Sequence, residues 1–174
     1  MERVTEPYFE RIWDRFCSHF QTPGRRHSPY VAAVQKGRVV TCAFPVFKTY
    51  ATHGNLMCRH LVARCLDLLL PDPLLRVNAP SFVEATVTRQ DRRHMVHLLS
   101  YAPVRRTPTL DIVEEPSLVR DLPLSLRLAK APARVTLQPQ GEEIPFVFRK
   151  HRVEMVLPEL HGHAMVVFEE RTRR

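Results

Sequence analysis

Nine histidines and eighteen carboxylates in 174 residues supply potential ligands and acid–base groups, and their spacing decides what they can do. His94 and His97 are three apart on an alternating apolar run; on a strand they point to opposite faces and cannot share a metal. His161 and His163 flank Gly162 and can point together, yet no third ligand lies near them in sequence, as a nitrogen–sulfur metal site requires. We read them as turn histidines and expect neither a metal nor any other cofactor. The four cysteines, Cys17, Cys42, Cys58 and Cys65, form no CxxC pair. On one helix Cys58 and Cys65 stand about 10 Å apart at ~1.5 Å rise per residue, too far for a disulfide, so the cysteines read as reduced, partly buried thiols. Glu114-Glu115 and Glu142-Glu143 sit beside proline or glycine in expected loops, where a solvated charge is the default. A glycosidase needs two carboxyl groups facing each other across the scissile bond, and nothing in the spacing enforces such a pair. No serine or cysteine has the setting of a nucleophile either. The sequence therefore offers no catalytic residue.

The best-placed polar group is a loop. Val39 to Phe44 reads as a short strand buried on both faces, opened by Gly37 and closed by Pro45, and Asn55 to Leu70 reads as a helix with Val62, Cys65, Leu66 and Leu69 on its apolar face. Between them Lys48, Tyr50 and His53 fall at the carboxyl end of the strand, where open α/β sheets place ligands. Strand, loop and helix together make half of a parallel α/β unit. Upstream, Phe9, Trp13, Phe16 and Phe20 have helical spacing behind Glu6 and Pro7. Residues 21–30 read as a loop, Tyr30 to Gln35 as a strand, and Lys36-Gly37 as a tight turn.

Pro71 and Pro73 stop the helix and mark a boundary. Beyond it the period becomes that of strands. Phe82 to Arg89 and His94 to Tyr101 flank a polar turn, and alternation recurs at Leu124–Leu128, Val135–Leu137, Ile144–Phe148, Val153–Leu157 and Ala164–Glu169. About seven short strands at such intervals indicate an antiparallel β-sandwich of ~100 residues. Fifteen prolines against five glycines suit many short, stiffly joined segments. The fold expected is α+β, a remnant of an α/β domain over residues 1–73 followed by a small antiparallel β-sandwich over 74–174.

The formal charge of +8 raises nucleic acid as a partner. Its distribution argues against that: residues 1–75 hold ten basic and six acidic side chains, residues 76–174 sixteen and twelve. The arginines gather at turns and in the tail without interleaved aromatics, unlike a stacking platform for single strands. No apolar run approaches the ~20 residues of a membrane span, and the acidic start has no secretory core. These features point to a cytoplasmic protein with no membrane partner.

Several stretches resemble a known family. Thr5 to Pro23 (TEPYFERIWDRFCSHFQTP), Gly37 to Gly54 (GRVVTCAFPVFKTYATHG), Leu74 to Gln90 (LLRVNAPSFVEATVTRQ) and His94 to Arg106 (HMVHLLSYAPVRR) are similar to the C-terminal part of bacterial glycoside hydrolases of the β-galactosidase type. Those enzymes carry a trimerisation domain, and some relatives are labelled α-L-fucosidase. The resemblance implies a catalytic (β/α)8 barrel, then a flavodoxin-like domain like class I glutamine amidotransferases, then a small β domain. This chain resembles the end of the second and the whole of the third. Two positions depart from the family pattern. Ala43-Phe44-Pro45 stands where Ala-His-Pro is expected, and Leu99-Ser100-Tyr101 where Leu-Asn-Tyr is expected, which weakens polar roles at both. The resemblance implies a non-catalytic assembly and support segment that self-associates or joins a glycoside hydrolase catalytic domain. A rival reading is a carbohydrate-binding module, with Tyr8, Trp13, Tyr50 or Tyr101 stacking on sugar rings. A basic nucleic-acid-binding protein is the second rival.

Overall fold

The computed structural model describes residues 2–7 and 23–171. The chain divides into two compact units, Met1–Asp72 and Pro73–Arg174.

In the first unit three strands, β1 (Glu2–Pro7), β2 (Pro23–Lys36) and β3 (Val39–Cys42), form an antiparallel sheet in that order. The stretch expected to be a loop is strand from Pro23 onward. Its prolines are tolerated because β3 pairs with residues 33–36 alone, and the pairing of β2 with β1 is irregular between matched positions, so Pro29 owes no ladder hydrogen bond. Glu6 and Pro7 end a strand instead of opening a helix, and the aromatic helix expected over Phe9 to Phe20 lies outside the described residues. β3 is also not buried on both faces: its residues alternate, and Val39 is 62% exposed. A strand joined to its neighbour by the two-residue turn Gly37-Arg38 must run antiparallel to it, which overrides the parallel arrangement expected from the strand–helix pattern.

Two helices follow, α1 (Val46–His53) and α2 (Leu56–Leu69). The segment from Pro45 to Gly54, expected to be a loop, is thus mostly helical. Pro45 precedes the first helical residue, where a fixed φ costs nothing, and Gly54 ends the helix at φ 59, its N–H donating to the Tyr50 carbonyl at 2.8 Å. Asn55 then caps α2, its side chain accepting from the Met57 N–H at 2.9 Å. Cys58 is buried, and Val62, Cys65 and Leu69 are half-buried as their spacing indicates, but Leu66 is 56% exposed.

The second unit holds β4 (Leu75–Val77), β5 (Val83–Gln90), β6 (Arg93–Ser100), β7 (Val104–Thr107), β8 (Leu110–Ile112), β9 (Leu118–Arg127), β10 (Pro132–Gln138), β11 (Glu142–Glu143), β12 (Val147–Arg149) and β13 (Arg152–Glu170). β7 and β8 form a separate hairpin. The other strands make two antiparallel layers that share β13. Its first half, up to His161, pairs with β9 and β12, and β4 lies beyond β9; its second half, from Gly162, pairs with β6 and β10. One long strand therefore replaces the two expected over Val153–Leu157 and Ala164–Glu169. Strands that pass from sheet to sheet through a bend are how such layers are joined at a corner.

The apolar alternation records the corner. Val153, Met155 and Leu157 are buried in the first half of β13, then Leu160 near its end and Ala164, Val166 and Phe168 in the second half, so the inward parity changes after Leu157. It changes in β9 as well, where Leu122, Leu124 and Leu126 face inward and Asp121, between the pairs Leu157–Leu122 and Glu159–Arg120, adopts φ 49. The inward residues of both layers, with Val96, Leu98 and Val135, form one core. Each such side chain contributes ~1.5–3 kcal/mol by leaving water.

Candidate functional site

Lys48, Tyr50 and His53 all lie on α1, with Lys48 and His53 exposed and Tyr50 40% exposed. The first unit does contain a cleft, of about 490 Å³, but these three do not line it. Its walls are Ala32 and Phe44 on one side and Cys58, Leu61 and Arg64 of α2 on another. Of its polar lining, the Thr49 hydroxyl donates to the Pro45 carbonyl at 3.0 Å and Asn55 caps its helix, while His60 and Arg64 also face it. Phe44 lines the cleft at the place where the family resemblance implies a histidine. Cys42, Cys58 and Cys65 are thiols, none in a disulfide.

Of the aromatics proposed to stack on sugar, Tyr8 and Trp13 lie outside the described residues. Tyr101 is 42% exposed, and its ring sits against the β13 corner: a Cβ added at Gly162 would meet the Tyr101 hydroxyl at 3.0 Å and the Pro116 Cβ at 3.3 Å. Ser100, beside it, is fully buried. Its hydroxyl donates to the Ser117 carbonyl, and the Ser117 N–H returns a bond to the Ser100 carbonyl at 2.8 Å. Serine therefore keeps a hydrogen-bonding role at the position where the resemblance implies asparagine.

Several carboxylates of the second unit are paired with arginines. Glu169 takes two hydrogen bonds from Arg134, at 2.8 and 3.0 Å, and Glu154 two contacts from Arg149, at 2.8 and 2.6 Å. Each guanidinium holds its partner carboxyl below the usual carboxylate range, the hydrogen bond being the larger cause. A glycosidase acid requires the reverse shift. Glu114 pairs with Arg106, and Glu142-Glu143, expected in a loop, form the exposed strand β11.

The histidines separate as strand geometry dictates, and then two of them meet. His94 points to the core side of β6 and His97 to the outer side. His163 is in β13 and not in a turn, one diagonal step from His97: the pairs across the strands are His97–Met165 and His163–Leu99. His97 Nδ1 lies 3.3 Å from His163 Nε2, and His97 Nε2 lies 3.5 Å from the Thr88 hydroxyl. The ring centroids are 5.5 Å apart and the planes 7° apart. The centroid separation exceeds the nitrogen separation by two imidazole radii, so both nitrogens lie on the line between the rings. The rings thus meet edge to edge in one plane, the geometry of an N–H···N bond, not face to face. A metal needs lone pairs converging on a third point, and among the described residues no group of three His, Cys, Asp or Glu converges. The spacing of 66 residues between His97 and His163 carries no local signal, which is why sequence reasoning missed the pair.

A second feature unsignalled in the sequence is Arg152, 8% exposed at the start of β13. It donates to the Ser125 hydroxyl at 2.8 Å, the Ser125 carbonyl at 3.0 Å and the Pro73 carbonyl at 3.0 Å. With Arg76, Asn78 and Glu154 it lines a groove of about 460 Å³ over the β4–β9–β13 layer. These bonds make it a clamp on the first residue of the second unit. No helix among the described residues is long and apolar enough to cross a membrane.

The fold and these side chains define a β-rich unit with a buried core, a polar outer face and paired carboxylates, preceded by a small sheet with two helices. No family model and no curated protein matches the sequence. Among solved structures, the chain is similar to α-L-fucosidase isoenzyme 2 from Paenibacillus thiaminolyticus, with a TM-score of 0.86 and 32% identity over 99% of this chain and 27% of that chain. It spans about a quarter of the length of that enzyme. The likeness supports a relation to α-L-fucosidase, and hence to glycoside hydrolases, for a segment of this kind. A cycloisomaltooligosaccharide glucanotransferase from Paenibacillus sp. aligns over 60% of this chain and 19% of its own at 16% identity, and its TM-score of 0.36 carries no argument.

Proposed function

We propose that the chain is a non-catalytic assembly and support segment of a glycoside-hydrolase-like protein of the β-galactosidase or α-L-fucosidase type. In this reading residues 1–73 correspond to the end of a flavodoxin-like, amidotransferase-like trimerisation domain, and residues 74–174 are the C-terminal sandwich. The observation that carries it is the likeness of 99% of this chain to a 27% share of a fucosidase. Two features agree. Glu154 and Glu169 of the second unit are held ionised by Arg149 and Arg134, unsuited to protonate a leaving group. The first unit exposes Tyr30, Val39, Phe47, Met57 and Leu66, each more than half accessible, which is the surface of a part that expects a partner. The partner is a second copy or a hydrolase catalytic domain, in a cytoplasmic setting.

The test combines activity with association. The pure full-length chain is expected to leave nitrophenyl fucosides and galactosides intact and to associate at micromolar concentration, with Phe47→Ser weakening association in light scattering. Turnover that disappears on replacing one of its own carboxylates would overturn the reading. So would a strict monomer whose residues 1–70 resist proteolysis.

A further inference from the structure

The two layers of the second unit end in four rims among the described residues: β4, β12, β11 and β5. β4 and β12 are three residues long and β11 is two, short enough to offer little to another strand. β5 is different. It has eight residues, VEATVTRQ, with no proline, glycine or lysine, and its register with β6 is unbroken from Val83–Ser100 to Gln90–Arg93. Glu84, Ala85, Thr86, Thr88, Arg89 and Gln90 are all exposed, so no described residue of the second unit covers this rim.

The hairpin turn fixes which backbone groups are unpaired. Asp91 and Arg92 form a two-residue turn, in which the flanking pair Gln90–Arg93 exchanges both hydrogen bonds. Alternate residues repeat that arrangement, so Glu84, Thr86, Thr88 and Gln90 turn their N–H and C=O groups to β6. Val83, Ala85, Val87 and Arg89 turn theirs outward.

We propose that this rim pairs antiparallel with the β5 rim of a second copy of this chain, about a two-fold axis through Thr86. In that register Val83 faces Arg89 of the second copy and Ala85 faces its Val87, which pairs every outward backbone group of both strands. Large Val87 meets small Ala85 on the core side. On the outer side Glu84 meets the Thr88 hydroxyl, and Thr86 meets its own equivalent. Antiparallel pairing keeps the like charges of the two copies apart, whereas a parallel arrangement sets them together; Arg89 stays on the core side, 3.6 Å from Glu170 of its own chain. The rim lies in the second unit and does not rest on association through residues 1–70.

The experiment is hydrogen exchange on the full chain from micromolar to submillimolar concentration, read at β5, beside light scattering. Exchange at Ala85 and Val87 is expected to slow with rising concentration while the particle mass increases. Ala85→Lys places a charge on the core side of the rim, where Ala85 is exposed, and is expected to abolish the slowing without lowering the melting temperature. Ala85→Pro, which removes one outward N–H and no bond to β6, is expected to do the same. Association through residues 1–70 persists in both variants and is weakened in Phe47→Ser, so the two contacts fail separately. Exchange at β5 that is independent of concentration overturns the proposal. Protection that appears only with an added unrelated extended peptide assigns the rim to another chain and overturns it as well.

Discussion

His94 sits at the turn end of β6 with Nδ1 sealed from solvent and its nearest acceptor, Glu170 Oε1, 3.8 Å away, too long for a hydrogen bond. Burial lowers its pKa from the ordinary 6.5, Arg89 lowers it further, and Glu170 opposes both in part. In the unfolded chain the imidazole titrates at its ordinary value, so between that value and the lower folded one the unfolded state binds more protons. Stability must then rise with pH through this window. Acidifying from neutrality past 6.5 is expected to lower the urea midpoint until the folded pKa is passed, and His94→Gln is expected to flatten that slope. The same slope in the variant would show that another group carries it. Glu154 and Glu169 act in a separate window: their folded values are depressed below 4.5, so what they contribute is present above 4.5 and is lost as pH falls through the lower folded values.

At the scale of the element, the second unit turns on the β13 corner, where Gly162 adopts φ 77 with Tyr101 and Pro116 against it. Gly162→Ala meets both a disfavoured conformation and crowding, and is expected to destabilise by about 1–3 kcal/mol. Gly141, at φ 75 with open space around it, supplies the control. Gly141→Ala costs conformation alone, so the difference between the two urea midpoints isolates the Tyr101–Pro116 contact; equal costs would contradict it. Gly162 also shows where the sequence stops being legible. A glycine between two alternating runs reads equally well as the end of a strand or a bend in one, and only the register with β6 and β9 decides. The β5–β6 hairpin was legible because alternation and a polar turn are both local. α1 was not, because Thr49, Tyr50 and Thr52 favour strand or loop over helix, although Pro45 and Gly54 bracketed it with helix-end residues. Lys48, Tyr50 and His53 moved with it, from the mouth of a strand to a helix surface. The His97–His163 contact and the Arg152 clamp depend on register between distant strands, which no spacing announces.

For the whole molecule, the distribution of buried apolar residues separates the two units more sharply than their lengths do. The large core cluster is drawn entirely from the second unit, between Val96 and Phe168, with Leu75 to Val87 packed against it. Among the residues of the first unit whose burial is described, the buried apolar side chains are Ala33, Val46 and Cys58, while Tyr30, Val39, Phe47, Met57 and Leu66 are largely in water. A core cluster of the second unit's size repays chain entropy by itself. Arg152 ties Pro73 to Ser125, so the second unit also holds its own first residue. Residues 73–174, expressed alone, are therefore expected to unfold in one cooperative urea transition with a midpoint close to the main transition of the full chain. Residues 1–72 alone are expected to show no such transition below the concentration at which they associate. Circular dichroism and intrinsic fluorescence on the two fragments check this. Loss of cooperativity in residues 73–174 would mean that the core cluster is not sufficient and that the first unit contributes to holding the sandwich.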